Sequence, residues 1–400
     1  VEGCTVTNEE LLRKAVITTD ALAAAGKLNP EQADKFIDFV LDETALKGSV
    51  RTIRVKTDWE INKIGVGARV AMPAAEAKDP GLRRGITTSK VTLNAKEVIV
   101  PFEIGDSFLE ENIEGEPSAE HIVRLMATKA ANELEELGIL GDALGVAALE
   151  SDLIEGGDAV RHVRDSYLAL FDGYARLADG GSIFNAAGAN IGLSIFGGML
   201  RAMPTKFRKD PRRLRYLVSP DLEQLWRERV STRGTALGDQ AVQGDSRIKA
   251  FGVEMVPLPL LPFRPRVVEH VVLNGLVAAT LRYQNLANAV VHLATLGNVP
   301  TAPYTAGVDY TLDAAAGTIV RIGGGGIADG ATVKVTYDSP PIAILTHFEN
   351  LLLAIGRDIR IEKDRDIFRR VNQYAITIKV GVGVEEAAAI VKARNLGTGI

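Results

Sequence analysis

Near the C-terminus apolar and charged positions alternate. Ile359 and Ile361 fall between Asp358, Arg360 and Glu362, the period of a strand with one packed face and one wet face. Residues 356–367 therefore predict a strand, and residues 373–384, rich in β-branched side chains, predict a second. Phe368-Arg369-Arg370-Val371-Asn372 lies between them. The wet face carries both charge signs, in Asp358, Arg360 and Glu362, while Arg357, Asp364 and Arg365 add charge along the same stretch and the link adds Arg369 and Arg370. Such a face can pair with a neighbouring chain as readily as meet water.

Elsewhere the pattern is equally legible. Residues 8–25 have a helical spacing through Leu11, Leu12, Ala15, Val16 and Leu22. Asn29-Pro30 starts a second helix whose stripe is Phe36, Ile37, Val40 and Leu41. Residues 50–102 read as extended, with a polar middle at 72–88 that holds Pro73, Pro80, Gly81 and Gly85. That predicts a long hairpin with a loose tip, carrying Arg83 and Arg84. A two-stranded hairpin is marginal alone, so its natural support is another chain. Pro117-Ser118 opens a helix through Leu140, with Ile122, Leu125, Met126, Ala130, Leu134 and Leu137 as its buried stripe.

Residues 151–262 alternate helices (161–176, 191–203, 220–230) with short strands (214–219, 251–256). Residues 263–341 change character, with β-like runs at 267–273, 289–294, 308–312, 318–322 and 331–337 between Gly, Asn and Asp-Gly turns. They predict a small β-sandwich or barrel inserted in a surface loop, with its two ends close together.

Composition narrows the function. The chain is 46% hydrophobic and 24% charged, which excludes a disordered chain. Lys plus Arg total 46 against 51 Asp plus Glu, a net charge of −5, whereas a dedicated nucleic-acid binder is usually basic. Cys4 is the single cysteine and the five histidines are scattered, so a structural zinc site is not expected. The acidic run Asp106, Glu110, Glu111, Glu114 and Glu116 reads as a solvated turn before a helix rather than a cation site. The Gly323–Gly326 run lacks the Lys-Ser/Thr of a phosphate loop and reads as a hairpin turn. The one basic cluster is Arg201, Lys206, Arg208, Lys209, Arg212, Arg213 and Arg215. It can touch phosphates non-specifically, but a salt-bridge surface between subunits is favoured. No catalytic residue, cofactor or metal is expected. The apolar stretch 188–200 is too short and Gly-rich to span a bilayer, and no secretory signal is expected. For Val1, loss of an initiator Met is favoured over proteolytic removal of a preceding segment.

Six blocks, in order, resemble the major capsid proteins of tailed bacteriophages, the Hong Kong 97 fold family. They are Asn29-Pro-Glu-Gln-Ala-Asp-Lys-Phe-Ile-Asp-Phe, Glu60-Ile-Asn-Lys-Ile-Gly-Val-Gly, Asn112-Ile-Glu-Gly-Glu, His121-Ile-Val-Arg-Leu-Met-Ala-Thr, Val218-Ser-Pro-Asp and Arg233-Gly-Thr-Ala-Leu-Gly-Asp. With the closing strand, the resemblance covers residues 20–262 and 341–396.

It implies an α+β capsid fold with an inserted all-β domain. The parts would be an N-terminal arm (1–49), an extended loop (50–102), a peripheral domain with a spine helix (103–150), an axial domain (151–262), the insert (263–341) and a return through axial and peripheral strands (342–400). It further implies self-assembly into pentamers and hexamers that close an icosahedral shell around double-stranded DNA, with portal and scaffolding or maturation proteins as partners and no membrane. The virion is the expected location, after assembly in the host cytoplasm.

Assembly-interface candidates are the charged residues named on 357–370, together with Arg83, Arg84, Arg208, Arg212 and Arg213. Some family members form Lys–Asn cross-links. Asn372 lies in the matching stretch, with Lys63, Lys78 and Lys90 as loop partners, but the strand after it carries Lys379 and no acid before Glu385, so no cross-link is expected. Two rivals remain: an encapsulin-type compartment of the same fold, and a metal-dependent hydrolase built on the acidic run.

Overall fold

A computed structural model of the chain describes residues 16–17, 50–54, 59–65, 87–93, 95–105, 116–143, 167–232, 248–293 and 303–399. The expected helix at 29–48, the hairpin tip with Arg83 and Arg84, and the acids at 106–114 lie outside these residues.

The N-terminal strands are β1 (Val16–Ile17), β2 (Arg51–Arg54), β3 (Trp59–Gly65), β4 (Thr87–Leu93) and β5 (Lys96–Gly105). Helix α1 (Glu116–Leu140) follows, then the short α2 (Tyr174–Leu177), β6 (Ser182–Asn185) and α3 (Leu193–Ala202). Next come β7 (Leu214–Val218), α4 (Pro220–Ser231), β8 (Lys249–Ala250) and β9 (Val253–Pro257). Six strands occupy the next stretch: β10 (Arg266–Leu273), β11 (Ala279–Thr280), β12 (Ala287–Leu293), β13 (Tyr310–Asp313), β14 (Thr318–Arg321) and β15 (Ala331–Asp338). The chain closes with β16 (Ala343–His347), β17 (Leu351–Asp366), β18 (Val371–Val384) and β19 (Val391–Arg394).

Two larger sheets organise the described residues. One has five strands in the order β1-β5-β18-β17-β2. Its centre is the long β17–β18 hairpin, paired from Leu351↔Val384 to Asp366↔Val371. Helix α1 covers it, because Ile122 and Met126 pack on Phe102, Ile104, Tyr374 and Ile376. Phe102 and Tyr374 stack with ring centroids 5.1 Å apart. The second sheet has six strands in the order β6-β19-β16-β7-β9-β8. Its core holds Phe196, Tyr216 and Trp226 between sheet, α3 and α4. Helix α4 starts as its sequence dictates: the Ser219 hydroxyl accepts a hydrogen bond from the Leu222 amide at 3.3 Å, and Pro220 stands in the first turn.

The stretch 263–341 folds into two three-stranded sheets, β10-β15-β12 and β11-β14-β13. Its ends are adjacent, since the Ser339 amide donates to the Pro265 carbonyl at 2.8 Å. Its core is continuous with that of the rest of the subunit: Tyr283, Leu286, Val291 and Tyr337 share one apolar cluster with Ile139, Ala178, Leu258 and Ile390.

Several sequence expectations are corrected. Val16–Ile17 is a strand, paired in parallel with Glu103–Ile104, where a helix was expected. The predicted helix at 161–176 is reduced to Tyr174–Leu177 within the described residues, after turns at 167–171. The reason is a close crossing: the Gly173 amide donates to the Gly141 carbonyl at 2.8 Å, and a Cβ on Gly141 would lie 2.4 Å from the Phe171 carbonyl oxygen. A backbone contact this close overrides helical periodicity. Gly323–Gly326 is not a hairpin turn, because β14 and β15 belong to different sheets and the loop crosses between them. The extended segment 50–102 also divides. Only β3 and β4 form the hairpin, while β2 and β5 join the five-stranded sheet.

Candidate assembly interface

The hairpin β17–β18 projects the candidate face. Arg357 lies in register with Lys379 and Arg360 with Thr377, and Asp358 falls in the irregular stretch between them. Glu362, Lys363, Asp364 and Arg365 are all exposed. On β17 the expected alternation of wet and packed faces has therefore ended at this point, while across from it Val371, Asn372 and Tyr374 of β18 stay buried.

The turn is held firmly at its base. Arg369 grips Glu103 of β5 with both terminal guanidinium nitrogens, each 2.9 Å from a carboxylate oxygen, and Gln373 donates to the same carboxylate at 3.0 Å. Arg369 is thus engaged inside the subunit, whereas Arg370 is exposed in a left-handed conformation with φ of 55°. Glu103 was invisible as a partner in the sequence because it stands 266 residues from Arg369.

Asn372 is buried, at 9% exposure, and lies in register with Ile104, while Glu103 lies in register with Gln373. Cross-strand partners share a face and successive residues alternate, so Glu103 is on the opposite side of the sheet from Asn372. Lys63 is in β3 and Lys90 in β4, and Lys78 lies outside the described residues.

The basic cluster is partly neutralised within the subunit. Arg213 pairs with Glu349 at 2.5 Å and Arg215 with Glu254 at 3.3 Å. Asp210 caps the short turn at Pro211–Arg213 by accepting from the Arg212 amide at 3.1 Å. Arg208 is half-buried and donates to the Thr205 hydroxyl at 3.2 Å, while Arg212 is exposed. Glu254 comes from β9 and Glu349 from the turn between β16 and β17, and both temper the cluster's attraction for phosphates.

One charged node escaped the sequence reading. Asp179 receives Lys392 at 2.7 Å, Arg394 at 2.7 Å, Arg176 at 3.1 Å and Arg282 at 3.5 Å. Its carboxylate is 11% exposed and Lys392 only 3%. Burial alone would raise the carboxyl pKa, but the charges and hydrogen bonds of Lys392 and Arg394 hold it below the usual carboxylate range. Lys392 also donates to the Ala175 carbonyl at 2.7 Å, and Lys392 and Arg394 lie over the Tyr283 ring. The node ties 263–341, through Arg282 and Tyr283, to β19 and the segment after α2. Among the described residues no group of three or more His, Cys, Asp and Glu could hold a metal ion.

No protein-family model matches the chain. It is 30% identical over 388 residues to the protein described as prophage capsid protein YqbE of Bacillus subtilis (strain 168), a match spanning 96% of this chain and 97% of that one. Solved structures of Mycobacterium phage Bobi and Microbacterium phage Oxtober96 are each 10% identical with a TM-score of 0.47, over 94% and 95% of this chain and 98% of each of theirs. The SrpI encapsulin complex of Synechococcus elongatus PCC 7942 is 8% identical with a TM-score of 0.44, over 95% of this chain and 96% of its own.

Proposed function

The chain belongs to the family of phage major capsid proteins, whose work is structural and is done in a self-assembled shell, and from that premise we propose that its copies form pentamers and hexamers closing an icosahedral capsid around double-stranded DNA. The family relationship over nearly the whole length carries this reading. The subunit's shape supports it. Among the described residues β3 and β4 form a two-stranded sheet with no third strand, and the end of β17 exposes consecutive charged side chains from Glu362 to Arg365. Each is a surface that a lone subunit leaves incomplete. A net charge of −5 suits a wall that contains DNA without gripping it.

In this reading α1 is the spine of a peripheral domain, β3–β4 the root of an extended loop over a neighbour, and the six-stranded sheet the axial domain. Residues 263–341 are an inserted β domain, as their adjacent ends suggest, although they share the subunit core. Portal and scaffolding or maturation proteins would act on the shell during assembly in the host cytoplasm.

Electron microscopy of the purified protein tests the proposal. Closed shells or rings of five or six are expected, and only monomers at every protein and salt concentration would end it. Nucleic-acid absorbance of native particles separates a DNA capsid from an encapsulin-type compartment, which would lack it.

Single reversals on the hairpin face, Arg360→Glu and Glu362→Arg, should each raise the concentration needed for assembly about tenfold or more, because like charges then oppose each other at the contact. Light scattering against concentration measures this. Unchanged assembly in both would mean that the face is simply solvated.

A further inference from the structure

The end of the β17–β18 hairpin carries two apolar side chains that the described residues leave uncovered. Ile367 is 75% exposed and Phe368 is 100% exposed. A single exposed apolar residue is ordinary. Here two are adjacent, one is aromatic, and the turn presenting them is locked. The Asp366 carboxylate accepts from the backbone amides of Phe368 and Arg369 at 3.0 and 3.1 Å. Arg370 takes the left-handed conformation with φ of 55°, and Arg369 is anchored on Glu103 at 2.9 Å. A turn already held in one shape loses little freedom when it docks.

The charges around the tip say what it docks against. Lys363, Arg365, Arg369 and Arg370 are nearly balanced by Glu362, Asp364 and Asp366. A surface that grips a polyanion would be one-signed, whereas a mixed rim complements another copy of itself. We propose that Ile367 and Phe368 form an apolar knob that is buried against a second copy of this chain when subunits assemble. The proposal rests on the shell-forming reading and adds to it a contact that no charge pair supplies. The aromatic ring is the anchor and the charges are its rim, the usual division of energy in an interface.

The test compares assembly with folding in the full-length protein. Phe368→Ala should leave the melting temperature of unassembled subunits unchanged, since the described residues leave the ring fully exposed. It should raise the protein concentration at which particles form about tenfold or more, the equivalent of burying one aromatic side chain. Phe368→Leu, which keeps an apolar side chain, should restore most of the assembly. If Phe368→Ala assembles like the wild type, the knob is overturned while the shell reading stands. Normal particles that carry less nucleic acid would also overturn it, by placing the tip on the DNA side. Failure of Phe368→Leu to rescue would overturn the apolar character of the contact. If the wild type itself forms no particles, the shell reading fails and takes the knob with it.

Discussion

Asp179→Asn should destabilise the folded subunit by about 3–5 kcal/mol, the cost of breaking a buried charge cluster by removing one partner. Lys392, Arg394, Arg176 and Arg282 all converge on this carboxylate, at 2.7, 2.7, 3.1 and 3.5 Å. Neutralising it leaves the cations to repel one another in a site where Lys392 is almost fully enclosed. Chemical denaturation of unassembled subunits measures the loss, and a change below about 1 kcal/mol would show that the cations find water or other acceptors instead. Lys392→Met in the same background should recover part of the stability, because it removes the most buried of the stranded charges.

The same carboxylate sets a pH dependence. Its folded pKa lies below the ordinary value of 3.8, so its stabilisation is complete above that pH. As pH falls from there, the unfolded chain takes up the proton first, and the contribution is lost as pH passes through the folded value. Acid titration of the wild type should show this loss, and Asp179→Asn should flatten it.

Phe196→Ala should cost about 3–5 kcal/mol as well, by a different route. The ring is fully buried, 4.8 Å from Tyr216 and 5.0 Å from Trp226 between centroids. Its loss leaves a cavity at the centre of the six-stranded sheet's core, between α3 and α4. The variant should unfold at lower denaturant and yield fewer particles because fewer subunits are folded. It thereby contrasts with Phe368→Ala, which should change assembly without changing folding. A loss below about 1 kcal/mol would mean that α3 settles into the vacated space.

Much of this chain was legible as sequence. Alternation marked β17 and β18, a six-residue stripe marked α1, and turn chemistry marked five of the six strands between 266 and 338. The capsid resemblance came from short blocks in order, and the Bacillus subtilis relative bears it out. The charged residues of 357–370 could be named as well, and Phe368 stood in the same string. What the string could not show was that Phe368 is uncovered, because exposure depends on what the rest of the chain leaves open.

Tertiary structure decided the partners. Arg369 meets Glu103 only because β5 lies beside β18, and Asp179 gathers its cations from residues 176, 282, 392 and 394. The helix expected at 161–176 gave way where Gly141 and Gly173 cross, and the strand at Val16–Ile17 arose from an open edge of β5. Periodicity and turn preference act over a few residues, so one sequence can state them. Charge pairing, close backbone crossings and exposure depend on which distant segments the packed core brings together, and only the folded chain carries that information.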